Sequence, residues 1–151
     1  MTAYYCYLIV HLSAFALFTG TFVANMITYN QIWQYTEKDE TTAKALFATT
    51  GKYARLMGIS LGFIVTAGIL MMTQMHKVYG GQLWLRIKIA LVVILIILRI
   101  MSVKSSKRLE NKLYDKSAIS WPDIKKRITI FNLAQLIIIA TIIVLSVTKF
   151  N

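Results

Sequence analysis

Charged residues are absent from the chain between Met1 and Thr36, and the first interruption is Glu37. Within that stretch Tyr4 to Tyr29 reads as one apolar helix, longer than the ~20 residues needed to cross a hydrocarbon layer. Leu56 to Met75 is uncharged between Arg55 and His76, and Ile128 to Thr148 is uncharged between Arg127 and Lys149. Ser120-Trp121-Pro122-Asp123 supplies a start for the latter: a capping hydroxyl, a proline tolerated in a first turn and an acid suited to the helix dipole. A further run, Ile89 to Leu98, is too short to span alone and must take in Lys88 and Arg99 to do so. The pattern predicts an all-α integral membrane protein, a four-helix bundle in one domain, with spans over about 4–29, 54–76, 83–103 and 124–148. The stretch 104–120 is a basic connection, and the mixed charges from Lys104 to Lys116 fall at helical spacing, so the third helix is expected to continue into it. Gly80-Gly81 marks a tight turn between spans two and three.

Composition narrows the class. Over 151 residues the chain is 57% hydrophobic yet carries a net charge of +11. A histone-like or ribosomal protein would not carry so much apolar surface, and a disordered basic tail would carry far less. One Cys, Cys6, excludes a disulfide framework and any multi-cysteine metal site. The charge is sorted by position. Of the 17 basic residues, all but Lys77, Arg86, Lys88 and Lys149 lie in or beside the first and third connections. By the positive-inside rule those connections are cytoplasmic and both termini face the other side, as in a multi-pass protein of a bacterial inner membrane. Anionic lipid headgroups, not nucleic acid, are the expected partners of this charge.

Helix faces carry the candidate chemistry. His11 shares a sector with Tyr4, Tyr7, Phe15, Phe18, Phe22, Asn25 and Tyr29, opposite a ridge of Ala16, Gly20 and Ala24. On span two, Arg55, Gly58, Gly62, Thr66, Thr73 and His76 share a sector. The Gly58–Gly62 pair is expected to pack closely within the bundle, with a homodimer contact as the alternative. On span three Lys88 and Arg99 share a face near Trp84, while Arg86 points elsewhere. Asn132, Gln135 and Ser146 cluster on span four, and the polar faces are expected to converge. No span contains an Asp or Glu. A cation in a span needs a partner: either Lys88 and Arg99 snorkel to the interfaces, or an anionic ligand or partner subunit supplies the missing charge.

His11 lies about 10 Å into the membrane if Tyr4 marks the outer interface, close to the estimated depth of Lys88. A histidine in an aromatic sector, with basic residues near the same surface, suits haem b: imidazole on iron and propionates near Lys88 and Arg86. The competing reading is that His11 bonds a neighbouring helix and the aromatics are packing. His76 would be a second metal ligand only for iron near the interface. Met71, Met72, Met75 and His76 raise copper as a less favoured alternative, since thioethers suit Cu(I), but methionine is also a common gap-filler.

Three short motifs extend this reading: His11-Leu-Ser-Ala-Phe-Ala-Leu-Phe-Thr-Gly20, Thr66-Ala-Gly68-Ile-Leu-Met, and Trp84-Leu-Arg-Ile-Lys88 running into aliphatics. Together they resemble the small four-helix membrane proteins grouped around HemJ-type protoporphyrinogen oxidase and the CopD-like copper proteins, over roughly the first three spans. The resemblance implies haem binding through His11, with Trp84 and Lys88 matching a W-x-x-x-K at the start of a later span. The long basic connection after span three departs from that group. The expectation is therefore a membrane haem protein for electron transfer or porphyrin-related redox chemistry, an oxidoreductase if it is an enzyme. The alternatives are an accessory or assembly subunit of a membrane complex, and an anion or small-molecule conduit.

Overall fold

A computed structural model of the chain describes residues 2–36, 38–74, 83–115 and 121–148. They form four helices: α1 (Thr2–Tyr35), α2 (Glu40–Gln74), α3 (Leu83–Asp115) and α4 (Trp121–Thr148). Three are long and apolar enough to cross a membrane, over Ala3–Tyr35, Glu40–Gln74 and Trp121–Thr148. α3 is long enough, but Arg86, Lys88 and Arg99 interrupt its apolar stretch. Apolar side chains such as Ile9, Ile27, Phe63, Ile69, Val93, Ile137 and Val144 point outward. Such faces are stable against hydrocarbon, where a helix satisfies its own backbone polar groups.

The chain divides into two compact units, Met1–Gly81 and Gln82–Asn151. The first is an antiparallel hairpin of α1 and α2, built on interlocking three- and four-residue steps. Phe18, Phe22, Asn25, Tyr29 and Ile32 are buried on α1, and Ala43, Phe47, Thr50, Met57, Ser60, Ile64 and Ala67 on α2. Alternating steps of this kind give each helix a seam that stays in register with a neighbour over many turns. Hydroxyls on or beside the seams donate to carbonyls one turn back, as Thr28 does to Ala24 and Ser60 to Leu56, both at 2.9 Å.

α2 begins at Glu40, well before the expected 54. Asp39 makes the difference. Its carboxylate accepts from the Thr41 amide at 3.0 Å and from the Thr42 hydroxyl, and its carbonyl accepts from the Ala43 amide at 3.1 Å. That is a helix N-cap. Glu40 then pairs with Lys44 at 2.7 Å, one turn on. The Lys38 and Asp39 amides both donate to the Tyr35 carbonyl, at 3.0 and 2.8 Å, so α1 ends within a few residues of that cap.

The second unit pairs α3 with α4, also antiparallel. α3 continues past its apolar run to Asp115, as the charge spacing from Lys104 predicts, while 116–120 and the Gly80-Gly81 turn lie outside the described residues. The buried seam of α3 is Leu95, Arg99, Ser102, Ser105, Leu109 and Leu113. That of α4 is Ile124, Ile128, Asn132, Gln135, Ile139, Ile142 and Leu145.

Candidate functional site

His11 lies on the α1 seam, half-buried against α2, and its Nδ1 is 2.9 Å from the carbonyl oxygen of Ile64. A carbonyl only accepts, so Nδ1 carries a proton, and in the neutral imidazole the lone pair is then on Nε2. Gly68, one turn beyond Ile64, makes room for the imidazole. A Cβ built there would meet Cε1 at 3.5 Å and Nδ1 at 3.7 Å. The imidazole thus packs over Gly68 with room for one further methyl group and no more. The periodic reading missed its role because one turn of helix separates the bonding carbonyl from the packing glycine.

The Gly58–Gly62 pair does not pack on α1. Both glycines are exposed on the face of α2 turned away from it, where a Cβ would meet nothing within 4 Å, and the same holds for Gly20 on α1. Arg55, Thr66 and Thr73 are exposed on that face too. Within this unit the polar sector of α2 therefore does not meet α1: the buried seam is the Met57–Ser60–Ile64–Ala67 side. Apolar volume fixed the pairing here, since Met57 and Ser60 meet the level of Phe18 and Phe22, both no more than 1% exposed.

On α4 the expectation holds. Asn132 and Gln135 are buried and Ser146 is half-buried. Lys88 donates to Ser146 Oγ at 2.9 Å, and that hydroxyl donates to the Ile142 carbonyl at 2.7 Å. A hydroxyl of α4 therefore serves as one acceptor for the Lys88 ammonium. Counting eleven residues on from Lys88 and eleven back from Ser146 brings Arg99 level with Gln135, and fourteen brings Ser102 level with Asn132. All four are at least nine-tenths buried, giving this hairpin a polar interior row. Gln135 Nε2 donates to the Phe131 carbonyl at 3.0 Å, while Gln135 Oε1 and Asn132 Oδ1 are buried with no hydrogen-bond partner.

The other sequence candidates fall as follows. Phe15 is half-buried and Phe18 is sealed in the α1–α2 seam. Trp84 is buried in the first turn of α3, and Arg86 is exposed. Met71 and Met72 are half-buried, and Met75 and His76 lie outside the described residues. Cys6 is exposed. Among the described residues no group of three or more His, Cys, Asp or Glu side chains could hold a metal ion. Ser146 acts as the Lys88 acceptor, a role the face pattern left open although it placed Ser146 with the polar residues of α4. Comparisons with protein-family models, with curated proteins and with solved structures found no match.

Proposed function

We propose that the chain is a four-span protein of a bacterial inner membrane, with both termini on the non-cytoplasmic side, that binds haem through His11. The bond from His11 Nδ1 to the Ile64 carbonyl supports this reading, and it is equally the bond that packing against a neighbouring helix would make. A metal-binding histidine typically donates its other ring N–H to a carbonyl or carboxylate, which fixes the tautomer, orients the ring and raises its basicity. On this criterion His11 would be the residue that holds the haem iron. Phe18 does not fit the lining of a cofactor slot, because α2 covers it. When bound, haem iron supplies one-electron chemistry. The chain's own part is to hold the imidazole, with Nε2 as donor atom, in an apolar layer that keeps water out. The third span takes in Lys88 and Arg99, an arrangement supported by the Ser146 acceptor within the α3–α4 hairpin.

The test is an absorption spectrum of detergent-purified protein expressed with ample haem supply. A Soret band is expected, and His11→Ala should remove most of it while leaving the helix content intact. A colourless wild-type protein overturns the reading. A second reading, an accessory or assembly subunit, is favoured by the outward Gly58–Gly62 face of α2, where another helix backbone could approach closely. Co-purification of a stoichiometric membrane partner, without cofactor absorbance, selects it.

A further inference from the structure

A cavity of about 80 Å³ lies between the end of α3 and the start of α4, lined by Ser105, Arg108, Asp123, Ile124 and Arg127. It is several times the ~10–15 Å³ that one water needs, and three of its five lining residues are charged. Two arginines and one aspartate are among its lining residues, which gives the lining one net positive charge. Arg127 lies with its Cζ 5.9 Å from the ring centre of Phe131, so its planar head rests on an aromatic face. Ser105 donates its own hydroxyl proton to the Met101 carbonyl at 3.1 Å, which makes the two arginines the donors available to a ligand. The position matters as much as the chemistry. Arg127 is the last charged residue before the uncharged run Ile128–Thr148, so the cavity sits at the end of an apolar run, at the level of lipid phosphates if α4 crosses a bilayer.

We infer that this cavity is a binding site for the phosphate of an anionic phospholipid headgroup, held by Arg108 and Arg127. Guanidinium groups present paired N–H donors that match phosphate oxygens, giving geometric selection beyond charge attraction. One net positive charge in the lining matches the single negative charge of a phosphodiester such as phosphatidylglycerol. The exposed Lys125 and Lys126 lie beside the site in sequence but do not line it, and they serve the diffuse attraction of the surface. The inference is independent of haem binding by His11 and needs only that α4 crosses the membrane.

The experiment uses the full chain in a neutral detergent, with its thermal unfolding followed while phosphatidylglycerol or phosphatidylcholine is titrated in. Phosphatidylglycerol is expected to raise the midpoint saturably and phosphatidylcholine not to. Arg108→Gln with Arg127→Gln should raise the half-saturating concentration about tenfold or more. Lys125→Gln with Lys126→Gln removes the same charge outside the cavity and should change it far less. Equal shifts in the two double variants reduce the effect to surface charge and overturn the site, as does a wild type indifferent to phosphatidylglycerol. Saturation by inorganic phosphate at the same concentrations would overturn the lipid as the source. If the glutamine pair fails to fold, Arg108→Lys with Arg127→Lys decides the matter: it keeps the charge, should still weaken binding several-fold, and overturns the proposal if it does not.

Discussion

His11 on α1 donates its Nδ1 proton to the carbonyl of Ile64 on α2 at 2.9 Å, and its ring lies in van der Waals reach of Gly68. The bond joins one helix to the backbone of the next, and it uses a carbonyl already engaged in helix bonding. A second donor on a helix carbonyl is possible because the oxygen has two lone pairs. In an apolar layer the bond also gives a polar ring a partner that water would otherwise provide.

Gly68 is therefore the position at which this contact can be graded. Alanine adds a Cβ at ordinary contact distance, 3.5 Å from Cε1, and should leave the ring in place. Gly68→Val adds branches that must displace the imidazole or spread the helices, at a cost of about 1–3 kcal/mol. Unfolding of the detergent-solubilised protein by SDS measures both. Combined with His11→Ala, the valine should cost much less than it does alone, because residues in contact are non-additive. A valine variant as stable as wild type would show that the ring does not depend on Gly68.

Lys88 and Ser146 offer a similar test in the other hairpin. Ser146→Ala removes an acceptor from an ammonium held in an apolar helix, for an expected loss of about 1–2 kcal/mol. Lys88→Met with Ser146→Ala removes donor and acceptor together and should recover most of that loss. Ser146→Asp supplies the acid that no span possesses, and it is expected to stabilise the hairpin above pH 6 relative to Ser146→Asn. Identical stabilities for Ser146→Asp and Ser146→Asn would mean that Lys88 gains nothing from a carboxylate at this position.

Most of the helical order was legible because uninterrupted apolar length is a long-range signal. α1 and α4 follow their apolar runs, and α3 follows the charge spacing beyond Lys104. The start of α2 was not legible from apolar length. Residues 40–53 are mixed in polarity, and their helix depends on the Asp39 cap and on burial of Ala43, Phe47 and Thr50. Facing directions were legible where one seam dominated, as on α1 with Phe18, Phe22 and Asn25. On α2 both sides hold small or apolar residues, so Gly58 and Gly62 competed with Met57, Ser60 and Ile64 for the inside. Side-chain volume decided it, which polarity alone does not express. At the candidate site the histidine and the lysine stood out as polar atoms in apolar runs. Their acceptors did not, because a backbone carbonyl has no sequence signature and a serine acceptor is chosen by register.

The polar row of the α3–α4 hairpin predicts an unusual mutational response. Gln135 Oε1 is fully buried without a partner, so that oxygen carries a desolvation cost no bond offsets, while Nε2 keeps its bond to the Phe131 carbonyl. Gln135→Met keeps the length and removes the orphaned oxygen, and it is expected to be neutral or up to about 1 kcal/mol stabilising. Gln135→Ala leaves a cavity and should cost about 2 kcal/mol or more. A methionine variant clearly less stable than wild type would mean that the Gln135 amide makes a bond that methionine cannot replace.

Asp39 gives the α1–α2 connection a pH dependence whose sign follows from its bonds. The Thr42 hydroxyl and amide, then the Thr41 amide, hold its carboxyl below the ordinary value of 3.8. A depressed folded-state value means that the cap contributes stability above the unfolded value and loses it as pH falls through the lower, folded one. Amide hydrogen exchange at Thr41, Thr42 and Ala43 should therefore be slow at pH 5 and accelerate, relative to the intrinsic rate, only below about pH 4. Glu40, beside it and paired with Lys44 at 2.7 Å, is a second acid in this connection and must be separated. Asp39→Asn does so: it keeps an oxygen acceptor for the Thr41 amide but cannot titrate. The acid-induced loss of protection should shrink in that variant, whereas Glu40→Gln should retain it. Equal acid sensitivity in Asp39→Asn and wild type would move the origin of the effect from the cap to the Glu40–Lys44 pair.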